Sequence, residues 1–138
     1  MISWIFKPSS FAIVFYQGKI LFILRDDIPN LSDPNKWSLP GGGKENNETP
    51  EQTMLREVWE EISVRPKNYH FLYKVPLFPK YLYLVKLTRE ENSRVKLGNE
   101  GQKLAYFALE ETDKLSLSRG IRKFFLKAYR NYLTRSRY

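Results

Sequence analysis

The chain has 138 residues, close to the about 150 of one average domain, so a single domain over residues 1–138 is expected. With 42% hydrophobic and 15% aromatic residues it can bury a core, which sets it apart from disordered chains. Cysteine is absent and His70 is the only histidine. Disulfides, thiolate chemistry and multi-histidine metal sites within one chain are therefore excluded, and any metal must be hard and oxygen-ligated.

The net charge of +8 points to an anionic partner such as nucleotide, nucleic acid or membrane. Seven of the basic residues lie in Ser116–Tyr138, which holds no acidic residue, so the rest of the chain is nearly neutral. The longest uncharged run, Pro8–Gly18, is far short of the about 20 apolar residues of a membrane span. The first residues also lack the features of a secretory signal, and a cytoplasmic location is expected.

In chain order, Phe11–Tyr16 and Ile20–Arg25 read as two strands of a hairpin turning at Gly18. Residues 26–43, dense in Pro, Asn, Asp and Gly, read as a long shaped loop. Thr49-Pro50-Glu51-Gln52 is a helix start, with Thr49 as N-cap, Pro50 in the first turn and Gln52 completing a capping box. Met54, Leu55, Val58 and Ile62 form its apolar face, and the helix is predicted to end near Ser63. His70–Val75, Tyr81–Leu87 and Leu104–Leu109 are predicted strands. From about Arg119, the apolar positions from Ile121 to Tyr132 recur at helical spacing, with basic residues mainly on the other face.

Residues 45–61 contain six Glu and one Arg, a local inversion of the overall charge. Glu57, Glu60 and Glu61 fall within one turn on neighbouring parts of one face, about 5–6 Å apart, where like charges repel. They also lie in the C-terminal half of the helix, where the macrodipole disfavours anions. A divalent cation turns this repulsion into ligation, and Mg²⁺ suits carboxylate oxygens shared with substrate phosphates. Gly41, Gly42 and Gly43 allow backbone to approach a metal or phosphate closely. The plainer alternative is a solvated acidic face with Arg56 paired to Glu60 at i, i+4, and a glycine turn without function.

The order of the residues adds a constraint. From Gly42 the chain reads Gly, five residues, Glu48, seven residues, Arg56-Glu57-Val58, one residue, Glu60-Glu61, one residue, Ser63-Val64. This resembles the Nudix hydrolase signature Gly-x5-Glu-x7-Arg-Glu-U-x-Glu-Glu-x-Gly-U, U being aliphatic, at every fixed position except the last Gly. Trp37-Ser38-Leu39-Pro40-Gly41-Gly42 looks like the usual lead-in. Asn99-Glu100-Gly101-Gln102 followed by Tyr106–Glu111 resembles the later acidic loop and strand, especially of MutT-like members.

The resemblance implies an α/β fold, an α/β/α sandwich with a mixed central sheet, the Glu-bearing helix on one side and the basic C-terminal helix on the other. It implies hydrolysis of a nucleoside diphosphate linked to another group, by water attack at phosphorus with Mg²⁺ or Mn²⁺ on the phosphates. Carried onto this sequence, Glu60, Glu61 and the Gly41 carbonyl are implied metal ligands. Glu57 is implied as ligand and general base, and Glu100 as a further ligand or alternative base. Arg56 is implied to orient carboxylates such as Glu48.

Lys44 stands one position after the lysine of MutT-like enzymes, where Gly43 sits here, and is a candidate phosphate contact or a plain surface residue. Ser63 replaces the family Gly, at a cost of about 1–2 kcal/mol if left-handed. Asn47 replaces a frequent Gly, and Asn tolerates positive φ. Tyr69, Phe71, Tyr73, Phe78, Tyr81 and Tyr83 are candidate base-stacking surfaces or core. Substrate readings are a small nucleotide, an RNA 5′ end held by the basic helix, or a catalytically silent nucleotide-binding module.

Overall fold

The structure, a computed structural model, describes residues 6–119 together with Ile121 and Phe125. Strand β1 (Ser9–Tyr16) turns into β2 (Lys19–Leu24) through Gln17 and Gly18, at φ 49° and 77°. Positive φ at both central residues matches the right-handed twist of the flanking strands.

The hairpin pairs only over Val14–Tyr16 and Lys19–Leu21. Beyond that the strands part, and two short strands fill the vacated edges. β3 (Trp37–Ser38) pairs with Ile23 and Leu24, and β4 (Gly41–Gly43) pairs with Ser9–Phe11. The span predicted as one long loop, residues 26–43, therefore contains two strands. Their pairing is non-local and their residues include three glycines, so no side-chain alternation announces them.

On the other edge of β1, strand β6 (Lys80–Lys86) runs parallel from Ser9↔Lys80 to Phe15↔Lys86. Strand β5 (Asn68–Lys74) pairs antiparallel with β6, with an irregularity between Phe71 and Tyr73. β7 (Lys103–Ala108) pairs antiparallel along β2 and runs into a 3-10 turn, Leu109–Lys114. The sheet is mixed, as expected.

Alternation along the strands divides the apolar residues between two faces. Ala12, Val14, Leu21, Tyr83 and Val85 pack with Met54, Val58 and Ile62 of helix α1 (Pro50–Ile62). Ile13, Ile20, Phe22, Leu82 and Leu84 form the opposite core with Ile121 and Phe125, and the Phe125 ring meets Phe22 edge-on at 5.7 Å. The fold is thus the α/β/α sandwich expected. The basic residues of the C-terminal helix predicted from Arg119 onward lie outside the described residues, Arg119 excepted.

Helix α1 starts as its sequence demands. Thr49 Oγ1 accepts from the Gln52 N–H at 3.1 Å, and Gln52 Oε1 accepts from the Thr49 N–H at 2.9 Å. Its C-terminus is closed from outside. Ser63 adopts the left-handed conformation at φ 63°, and its N–H reaches the Trp59 carbonyl at 3.0 Å. Lys96 N–H donates to the Ile62 carbonyl and Gly98 N–H to the Glu61 carbonyl, both at 3.0 Å. These bonds satisfy acceptors that a helix end otherwise leaves open, and with the bond from Ser63 Oγ to the Lys96 carbonyl at 3.1 Å they offset the strain at Ser63.

Positive φ before Glu48 falls on Asn46, at 51°, rather than on Asn47. Helix α2 (Arg89–Ser93), capped by Thr88 and Glu91, is too short to show periodicity in the sequence. Among the described residues no helix is long and apolar enough to cross a membrane.

The joint between residues 96–98 and α1 leaves no room at Gly98, where an added Cβ would lie 1.9 Å from the Glu60 carbonyl oxygen. Because backbone cannot yield there, Gly98→Ala is expected to lower unfolding free energy by about 2 kcal/mol. Thr49→Ala, which removes the N-cap, is expected to cost about 1 kcal/mol. Urea titration of both variants checks the order.

Candidate active site

Where β1 and β2 separate, the glycine strand β4 lies beside α1, and Arg56, Glu57 and Glu61 of α1 reach it. Arg56 is the centre of this region. Its Nε donates to Glu48 Oε2 at 2.8 Å and its Nη2 to Glu48 Oε1 at 3.1 Å, a bidentate pair. Nη2 also donates to the Gly43 carbonyl at 2.8 Å, tying helix to strand. Nη1 donates to Glu57 Oε1 at 3.0 Å and Glu60 Oε2 at 3.2 Å, while Glu45 Oε2 lies 3.5 Å from Nε. The i, i+4 pair of Arg56 with Glu60 is therefore real, but it is one contact among several.

Glu48 also accepts from the Glu45 N–H at 2.8 Å and from Thr53 Oγ1 at 3.2 Å. The Arg56 hydrogen bonds and these donors hold its carboxyl down at about 2. In return, Glu48 foremost raises the Arg56 guanidinium above its ordinary value.

Glu57 and Glu61 are treated differently by the fold. The Glu57 carboxylate lies against Gly42, where an added Cβ would sit 2.5 Å from Oε1 and displace it. Burial raises the Glu57 carboxyl despite its bond to Arg56. Glu61 receives one hydrogen bond, from the Gly41 N–H to Oε2 at 3.1 Å. Burial, then the charge of Glu57, push Glu61 up to about 8, with Glu100 adding to the rise and the Gly41 bond and Arg25 opposing it.

These groups open on a cleft of about 620 Å³. Five carboxylates line it: Glu45, Glu57, Glu60 and Glu61 on one side and Glu100 from the facing loop, with Trp59, Ser63, Gly98 and Asn99 completing the wall. The structure thus brings Glu57, Glu60, Glu61 and Glu100 together, and Arg56 and Glu48 stand behind them. Lys44 is exposed and does not line the cleft; its N–H binds the Pro8 carbonyl at 2.8 Å.

None of the six candidate aromatics lines it either. Tyr83 is core, and Phe71 packs against Tyr81 and Tyr83. Trp59, absent from the sequence-based candidates, is 45% exposed at the rim, with the Arg65 guanidinium 4.1 Å from its ring centroid. It fills the unconstrained position between Val58 and Glu60, where spacing carries no signal.

The donor set tests whether a metal fits. Among the described residues no three acidic or histidine side chains already gather closely enough to hold an ion. The chemistry nevertheless fits a hard divalent cation: the side-chain oxygen donors of the cleft are mostly carboxylates, and Glu61 is buried beside Glu57 with no cationic hydrogen-bond partner among the described residues. A cation would offset the burial and the neighbouring charge that together raise Glu61.

Comparison with known proteins identifies the family. The family model of the NUDIX domain matches residues 6–128. The RNA pyrophosphohydrolase of Histophilus somni is 37% identical over 76 residues, which are 55% of this chain and 38% of that protein. The chain thus matches about two fifths of the length of such curated relatives. The NUDIX domain of Shewanella oneidensis NrtR, solved with ADP ribose, superimposes with a TM-score of 0.71 at 18% identity, covering 92% of this chain and 88% of that one. The MutT protein of Methanosarcina mazei Go1 gives 0.66 at 23% identity, covering 91% and 96%. A family match over most of the chain, on a sheet and helix that hold the signature glutamates around one cleft, shows that this protein belongs to the Nudix family.

Proposed function

We propose that this chain is a pyrophosphohydrolase that cleaves the diphosphate linkage of a nucleoside triphosphate or other nucleoside diphosphate derivative, with Mg²⁺ or Mn²⁺ as cofactor. The observation that carries the reading is the division of charge around α1. One arginine neutralises Glu48 and touches Glu57 and Glu60, while Glu61 stays buried without a cationic hydrogen-bond partner among the described residues. Such a residue is suited to a hard cation rather than to a protein cation.

Glu57, Glu60, Glu61 and Glu100, with the Gly41 carbonyl, are the residues to hold the cation. When bound, it supplies water of lowered pKa and offsets phosphate charge. Glu57 accepts the proton of the attacking water as its oxygen bonds to phosphorus, and the bridging P–O bond breaks with release of the phosphorylated leaving group. Burial and a raised carboxyl make Glu57 a better base than an exposed glutamate. Arg56 and Glu48 orient it from behind and do not touch phosphorus.

A second reading, an RNA 5′-end pyrophosphohydrolase, is favoured by the likeness to the Histophilus somni RNA pyrophosphohydrolase and by the seven basic residues of Ser116–Tyr138. Lys44 remains a phosphate contact only if a bound substrate reaches beyond the cleft. A nucleotide-binding module without catalysis is the outcome if no substrate turns over.

Glu57→Gln is expected to lower Mg²⁺-dependent hydrolysis by at least about 100-fold, read as phosphate or pyrophosphate released from a nucleotide panel. Wild-type protein inactive on nucleotides, nucleotide sugars and RNA sinks the proposal. Arg56→Lys keeps the charge but loses the bidentate fork, and about a tenfold loss of kcat is expected.

For the RNA reading, kcat/KM on a 5′-triphosphate RNA should fall far more steeply with salt than on a mononucleotide, through counterion release. An RNA ignored even at low salt rejects it.

Glu48 yields a pH prediction. Its folded carboxyl is at about 2 against an ordinary 4.5. The stability it contributes is therefore complete above about 4.5 and is lost as pH falls toward 2. Glu48→Gln is expected to melt below wild type at pH 7, with the gap closing across that window in thermal scans.

A further inference from the structure

The loop that presents Glu100 is fixed at both ends. On one side Lys96 and Gly98 bond to the end of α1, as described. On the other, Asp26 Oδ2 accepts the Gly101 N–H at 3.0 Å, immediately after Glu100. The next residue is also held: Gln102 N–H donates to the Leu24 carbonyl at 2.8 Å, and Gln102 Nε2 donates to the Arg25 carbonyl at 2.8 Å and Asn35 Oδ1 at 2.9 Å. The Asp26 backbone is braced in turn, its carbonyl accepting from the Asn35 N–H at 3.2 Å.

Asp26 is half-buried and forms no salt bridge among the described residues. A carboxylate in that setting is held by the hydrogen bond it accepts, and an ionised acceptor binds an amide about twice as strongly as a neutral one. The amide it binds belongs to the peptide that joins Glu100 to Gly101, so its bond fixes the direction from which Glu100 enters the cleft. We infer that Asp26 is a positioning residue for Glu100, holding that carboxylate over the cleft opposite Glu57 and Glu61. The inference rests on the reading that Glu100 serves a cation in the cleft. Residues behind a metal ligand typically change metal affinity or activity by 10–100-fold when removed.

The test uses the full chain and Mn²⁺ as probe, with affinity read by the loss of free-ion electron spin resonance signal. Asp26→Ala is expected to weaken Mn²⁺ binding about tenfold and to speed hydrogen exchange of the Gly101 amide. Asp26→Asn retains an acceptor oxygen and is expected to stay within about threefold of wild type. In a Glu100→Gln background, Asp26→Ala should add less than about a twofold change, because the group it positions is already altered.

An effect that persists in full in that background shows a merely structural role and overturns the inference. So does an Asp26→Asn variant as weak as Asp26→Ala, or an Asp26→Ala variant equal to wild type. Hydrolysis is scored separately. Wild-type protein that binds Mn²⁺ and shows the coupling, yet cleaves no substrate, refutes the proposed activity and leaves the positioning role standing; wild-type protein that binds no Mn²⁺ refutes both.

Discussion

The arrangement depends on one side chain having too few positive charges for its neighbours. Arg56 stands among Glu45, Glu48, Glu57 and Glu60, and a planar guanidinium with five N–H donors can satisfy carboxylates on several sides. It spends two donors on Glu48 and one on the Gly43 carbonyl. What remains goes to Glu57 and Glu60, and nothing reaches Glu61. The glycine strand, the capped helix and the facing loop all serve to hold this imbalance in place: Gly42 admits the Glu57 carboxylate, Gly41 gives Glu61 its single bond, and the loop after α2 adds another carboxylate.

The backbone explains why the imbalance does not relax. Helix α1 is anchored at its first turn by the Thr49 and Gln52 exchange and through the core by Met54, Val58 and Ile62. Its carboxylates cannot separate by unwinding, because the last carbonyls are bonded to Ser63, Lys96 and Gly98. Parting of the β1 and β2 strands makes room for β4 at the same height. A cleft of like charges is therefore maintained by apolar packing and main-chain bonds that have no stake in those charges.

Local signals made α1 legible: an N-cap, a proline in the first turn, an apolar stripe and an ordered set of glutamates can all be read within about 15 residues. The Arg56 bond to Glu48 was implied by the family resemblance, whereas helical spacing offered only Glu60. β3 and β4 were not legible, since two or three residues paired with distant strands leave no periodic trace, and α2 is shorter than one clear repeat. Glu45 joins Arg56 from a turn outside the helix, so helical spacing could not reveal it. Trp59 escaped because spacing carries no signal at its position, and Lys44 stands outside the cleft lining although the sequence puts it next to the glycines. Ser63 shows the converse: the left-handed geometry was foreseeable from the family pattern, but the carbonyl of Lys96 that receives its hydroxyl came from a segment more than thirty residues away.

The two sides of the cleft are joined by bonds from Lys96 N–H to the Ile62 carbonyl and from Gly98 N–H to the Glu61 carbonyl. Both use peptide groups alone, so the joint makes no demand on most side chains it carries, Gly98 excepted. Residues such as Asn99 can therefore be exchanged during divergence without unfastening Glu100 from α1. A frame held in this way lets the exposed side chains of the loop vary while the carboxylates keep their mutual placement.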